Sequence, residues 1–467
     1  MEPSDFELQI YAAMGLDPNA QLQDQPFVKA LKPYWDAFAN HWYAPNLPWA
    51  PVQPLDQMIE KQPTLLIGEA AFILLACVAV IHAFANGRQH VLLWFGALIG
   101  GCCNDVFFMV LPFVDNFWHA QCYLMLTPRL PAYILCVYIA FIYVPVAASW
   151  RLSKPPLFRF VAGALTAGLL YAPFDCVGAK HLWWTWHDTD AAVQERWLGV
   201  PIGSTMFTMM HTFCFHVLLH SFALGENRKL RAPTYLGCLR FLSSLIGISL
   251  LGTPFMMLAM TPCQLLQLKI GPDGQPTQLP GRPDLDALKL QLGLLGTAGV
   301  ISWFGGLISG SKSSQRPSFL AKREQPSRLP LDRLLWLTAV LYFCALVGVM
   351  AFGSPQSVVA EGVHQQIGEC YVHDVDLSNY SRYKYLCATD YEEDFTFDCA
   401  PQQNVTALKE PSWYTLCGKA HTDRQLYVQV VAGLGAAAAL MLGIMLLPSR
   451  ADAPAPAPAP FGKAKRA

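Results

Sequence analysis

Apolar stretches long enough to cross a bilayer recur along the whole chain, and that repetition restricts the fold more than any other feature. A membrane-crossing helix needs about 20 predominantly apolar residues. Such stretches occur at 63–85, 90–112, 130–150, 157–175, 200–222, 234–260, 286–310, 333–353 and 425–447. The second and fourth are the least clean, because acidic residues lie in or beside them. Only 14% of the residues are charged, against roughly 25% in a soluble protein, so 467 residues read as one membrane domain with appendages. The expected fold class is all-α: a polytopic helical bundle of about nine transmembrane helices, with a small disulfide-bonded lumenal segment.

Basic residues in the connecting loops set the orientation. The loops near 86–90, 151–159, 223–233 and 311–333, with the tail after 448, hold 17 Lys and Arg, against ten in the loops of the other side. The first side is therefore expected to be cytosolic. The other side then receives residues 354–424, where Cys370, Cys387, Cys399 and Cys417 lie in a polar context. An even cysteine count suggests two disulfides in an oxidising lumen, and four cysteines allow three connectivities. Two glycosylation sequons, at Asn379 and Asn404, fall in the same segment.

The remaining organisation follows from composition. Residues 1–62 are expected to hold no span and no signal peptide. Phe27, Trp35, Phe38, Trp42, Tyr43 and Trp49 suit either an interfacial segment or a folded arm, placed in the lumen by a count of nine spans. Residues 63–353 form the bundle of about eight helices, 354–424 the lumenal segment and 425–447 the last span. Residues 448–467 form an Ala-Pro-rich cytosolic tail, a stiff extended spacer. Lys463 and Lys465 near its end resemble a dilysine signal read by a retrieval coat, which points to the endoplasmic reticulum or early secretory pathway. The net charge of −1 implies no nucleic-acid partner.

Ionisable groups within spans are costly and mark functional sites by default. Glu69 and Asp105 lie at matched depth, roughly 10 Å below the lumenal surface at 1.5 Å rise per residue. A shared proton, a cation or a bound metal would suit such a pair. Asp115 and His119 would share a face if the intervening residues are helical. Asp175 leads into a polar-aromatic cluster that holds His181, Trp183, Trp184, Trp186, His187, Asp188 and Asp190. Imidazole and carboxylate there could act as general acid and base. No His-x-x-x-His or His-x-x-Glu-His pattern marks a metal centre in this cluster, so metal and cofactor stay unknown. The candidate catalytic set is Glu69, Asp105, His119, Asp175, His187 and Asp188. Of His211, His216 and His220 in the fifth span, only His211 earns a role.

Trp184-Thr-Trp186-His-Asp188 with Gly199-Val-Pro201 is similar to the tryptophan-rich loop and Gly-Val-Pro element of carotenoid hydratase-type membrane proteins, multi-pass enzymes that add water across an isoprenoid double bond. The similarity covers about 30 of 467 residues; the cysteine-bearing segment and the tail have no counterpart. It implies that Asp175, His187 and Asp188 border a lipid-side pocket. More broadly, the chain looks like an uncharacterised eukaryotic multi-pass family. The expected function is a lipid- or isoprenoid-modifying enzyme of hydratase or isomerase type, partnered by membrane lipid and a hydrophobic small molecule. The alternatives are a transporter or channel using Glu69 and Asp105, and a scaffold with a lumenal interaction segment.

Overall fold

The structure is a computed structural model. It describes Lys32 and residues 47–110, 114–152, 154–224, 235–264, 268–270, 276–278, 283–308, 329–376, 380–399 and 412–447. The sequons at Asn379 and Asn404, the Lys463 and Lys465 signal, the basic 311–328 loop and nearly all of the N-terminal arm lie outside the described residues.

Among the described residues nine principal helices form the bundle: α1 (Pro63–Asn86), α2 (Arg88–Val110), α3 (Tyr133–Ser149), α4 (Pro156–Lys180), α5 (Ile202–Leu219), α6 (Tyr235–Gln264), α7 (Pro283–Ile308), α8 (Leu329–Phe352) and α9 (Arg424–Leu446). Among the described residues eight are long and apolar enough to cross a membrane, and α3 is a shorter apolar helix. This is the composition of a multi-pass membrane protein. Helix α4 is the centre, with 78% of its apolar window buried against 22% in α7. Outward-facing positions such as Leu258, Ile301 and Leu440 are more than half exposed and apolar, as a lipid-facing surface requires.

Helix α3 is irregular for a local reason. It widens into a π-turn over Ile139–Tyr143, just before Pro145. Proline has no N–H to donate back into the preceding turn. The Thr212 hydroxyl donates instead to the Phe141 carbonyl (3.4 Å) and ties α3 to α5.

The two ends of the bundle differ. At one end His82 of α1 lies 2.6 Å from the Tyr143 hydroxyl through Nδ1 and 2.8 Å from Asp332 through Nε2. Arg151 donates to the same Asp332 oxygen at 2.7 Å and to Asn86 at 2.9 Å. These contacts join the ends of α1, α3 and α8.

The other end carries a cap with short two- and three-stranded sheets, added to an otherwise mostly helical structure. Phe117–His119 pairs antiparallel with Trp184–Trp186. Strand Val359–Val363 pairs with Trp413–Gly418, which also pairs with Phe395–Thr396. The polar 354–424 segment lacks the unbroken apolar run of a spanning helix, and its alternating burial suits short strands. Its disulfides are Cys370–Cys387 and Cys399–Cys417. Ion pairs hold the cap to the bundle: Lys180–Asp394 at 2.7 Å, Arg196–Glu393 at 2.5 Å and Arg382–Asp190 at 2.9 Å. The expected helical face for Asp115 and His119 is not formed, because Phe117–His119 is a strand. Asp115 turns instead to the Arg129 guanidinium, 2.5 Å away.

Candidate functional site

Beneath the cap, between α2, α3, α4 and α5, lies a cavity of about 150 Å³. Close packing of small residues shapes its walls. A Cβ on Gly101 of α2 would come within 2.1 Å of Tyr138 Cγ, and one on Gly178 of α4 within 2.0 Å of the Trp184 ring. The absent side chains let Tyr138 lie against α2 and let the Trp184–Trp186 strand close over the end of α4.

Tyr138 thereby reaches Asp105. Its hydroxyl donates to Asp105 Oδ1 in a short hydrogen bond. Asn104 Nδ2 donates to the Tyr138 oxygen (3.0 Å), and Thr253 of α6 donates to Asn104 Oδ1 (2.8 Å). Donation thus runs in one direction, from Thr253 through Asn104 and Tyr138 to the carboxylate. The second carboxylate oxygen, Asp105 Oδ2, is buried with no hydrogen-bond partner. Such an atom is costly to leave unsatisfied.

Further unpaired polar atoms belong to the lining. His211 Nε2, His119 Nδ1 and the indole nitrogens of Trp184 and Trp186 are all buried without partners. Burial, and then the charge on Arg129, push the His119 imidazole down to about 3, so it stands neutral. Asp175 is fully buried near Tyr171 and Ser204, two lining residues, and neither of its carboxylate oxygens has a hydrogen-bond partner. The rest of the wall is largely aromatic, including Phe108, Phe141, Phe174 and Phe207. Lysine and arginine are absent from the described lining.

The structure therefore brings Asp105 and His119 to one cavity, with Asp175 behind its wall. Glu69 is not among the lining residues. Its carboxylate accepts from the Tyr123 backbone at 3.2 Å and pins the 122–124 turn to α1. His187 and Asp188 lie 3.2 Å apart, also outside the lining. Gln365 of the cap donates to Asp188 (2.8 Å) and contacts His187 (3.2 Å), so the pair joins hairpin to cap. Burial alone would raise the Asp188 carboxyl, but hydrogen bonds from His187 and Gln365 outweigh it and hold it below its usual range. Tyr138, Tyr171 and Ser204 were missed by sequence reasoning. The signal available for Tyr138 was the Gly100-Gly101 pair opposite a hydroxyl-bearing aromatic inside a span.

Among the described residues no group of three or more His, Cys, Asp and Glu is placed to hold a metal ion. Asp105, His119 and His211 instead bring ionisable side chains to a largely aromatic cavity.

A family model described as Domain of unknown function (DUF7802) matches residues 48–232 and 300–446, well over half of the chain. The chain belongs to this family. No curated protein and no solved structure matches it. Within the DUF7802 match lie all the lining residues except Met256, whereas the whole of α6 falls between the two matched segments. The expected likeness to carotenoid hydratase-type proteins is not shown; the family found is an uncharacterised one. The Gly-Val-Pro element has a local explanation. Leu198 and Gly199 turn at positive φ, and Pro201 is the N-cap of α5. Glycine adopts that conformation freely, and extended backbone at Pro201 leads into the helix.

Proposed function

We propose that the protein is a multi-pass membrane enzyme that admits a hydrophobic molecule to the cavity beneath the cap and moves a proton on it. The observation that carries this reading is the unpartnered Asp105 Oδ2 at a largely aromatic void, with Tyr138 fixed on the other oxygen. A carboxylate so held is oriented for proton transfer, which contributes typically 10²–10⁴-fold to a rate. In an isomerisation, Asp105 would take a proton from one carbon. The electron pair released would shift the double bond, and the proton would return at another carbon. Nothing else is consumed. Hydration would use the same groups with one water as co-substrate.

Nine spans, a lumenal cap, glycosylation at Asn379 and Asn404, and retrieval to the endoplasmic reticulum through Lys463 and Lys465 belong to the same proposal. They are supported by loop charge, paired cysteines and the tail sequence. An untargeted lipid comparison of cells lacking the protein, re-supplied with wild type or Asp105→Asn, tests the enzyme reading. One lipid class should accumulate in the knockout, return to normal with wild type and stay high with the variant at equal expression. Full rescue by Asp105→Asn would remove the carboxylate from any chemistry. Altered uptake of a solute with unchanged lipids would favour the transport alternative.

A further inference from the structure

We infer that the cavity's ligand is a neutral hydrophobe bearing an oxygen acceptor, a ketone or an alcohol, and that the indole N–H groups of Trp184 and Trp186 bind that oxygen. This rests on the reading of the cavity as a ligand site and names the class of molecule it takes.

The first ground is the hydrogen-bonding character of what is left unpaired. Indole nitrogen is a donor only, so two buried, unpartnered indole N–H groups require an acceptor. Both line the cavity and both lack a partner within the protein. Residues 184 and 186 are two apart on one strand and so point to the same side. Their rings meet edge to face with centroids 6.2 Å apart. Trp184 is only 3% exposed, so bulk water does not satisfy it.

The second ground is charge. An anionic head group would bring its charge beside Asp105 with no lysine or arginine in the described lining to balance it. Burying an uncompensated charge is among the largest penalties available. An uncharged oxygen answers the two donors without that cost. The aromatic wall takes the hydrocarbon, and Asp105 Oδ2 remains for the molecule's hydrogens.

The test uses the purified full-length protein in detergent with ¹⁵N-labelled tryptophan. Three monoterpenes of one carbon skeleton serve as probes: the ketone carvone, the alcohol carveol and the hydrocarbon limonene. Trp184→Phe and Trp186→Phe keep an aromatic ring, assign the two indole signals by their loss and remove one donor each. Carvone and carveol should move those two indole N–H resonances, bind at least ten-fold tighter than limonene, and lose most of that margin in either variant. Equal binding of all three, with margins unchanged in the variants, would overturn the oxygen assignment and leave the cavity standing as an apolar site. Failure of all three to shift any tryptophan signal or the melting temperature would overturn both. Should Trp184→Phe fail to fold, Trp186→Phe and the wild-type resonances decide the matter.

Discussion

At the scale of single residues, the site depends on positions where nothing protrudes. Gly101 is the clearest. An alanine there would place a methyl group 2.1 Å from Tyr138 Cγ, so the ring must withdraw from α2 and its hydroxyl from Asp105. Overpacking of this kind costs about 1–3 kcal/mol. Gly101→Ala should therefore lower the melting temperature and reduce turnover of the accumulating lipid, while Gly293→Ala, with open space around it, should change neither. Equal behaviour of the two variants would show that the Tyr138–Asp105 contact is dispensable. Arg382 makes a different kind of claim. Its guanidinium is buried against Asp190 at 2.9 Å, and removing one partner of a buried ion pair typically costs 3–5 kcal/mol. Arg382→Leu should thus cut the yield of folded protein sharply, more than loss of the exposed Lys289–Asp286 pair, and comparison of the two by size-exclusion chromatography checks it.

At the scale of elements, the helices were legible and the cap was not. The apolar stretch at 425–447 is α9, Arg424–Leu446, and 63–85 is α1, Pro63–Asn86; hydrophobic length alone locates such helices because a bilayer demands it. The four cysteines marked an oxidised segment, but their pairing needed the strands. Phe395–Thr396 beside Trp413–Gly418 brings Cys399 to Cys417. The site was legible only in part. Asp105 stood out as an acid inside a span, whereas Glu69 stood out equally and serves a backbone turn. Sequence shows that a buried charge needs a partner, not whether the partner is the protein or a ligand. The Cys399–Cys417 link closes a separation of 18 residues and anchors the stretch that carries Glu393 and Asp394 to α4 and its following loop. A disulfide closing a loop of that size contributes about 3 kcal/mol. A Cys399→Ser, Cys417→Ser double variant should leave the helices intact but make residues 380–399 cleavable by protease from the cap side. Unchanged resistance would mean that the ion pairs alone hold the cap down.

At the scale of the whole molecule, the cap buries imidazoles in their neutral form. Burial pushes His119, His181 and His364 each down to about 3. Nearby positive charge adds to this for the first two: Arg129 beside His119, and Lys180 and Arg424 near His181. In the unfolded chain the same rings titrate near 6.5. Between about pH 6.5 and 3 the unfolded state therefore binds more protons, and stability falls as pH falls. At pH 5 the loss is at most about 2 kcal/mol per histidine. Asp188, held below its usual range, loses stability in the same direction at lower pH. Among the groups outside the spans Glu393 works the other way, since burial raises its carboxyl despite Arg196, but it stands against four imidazoles, because burial also pushes His421 down to about 4. The melting temperature of the purified protein should drop steadily from pH 7 to pH 5, with the cap loosening before the helices. His364→Gln should flatten the slope, because it removes one of these depressed titrations. A melting temperature that is flat over this interval, or a slope unchanged in His364→Gln, would show that the cap does not hold these rings neutral.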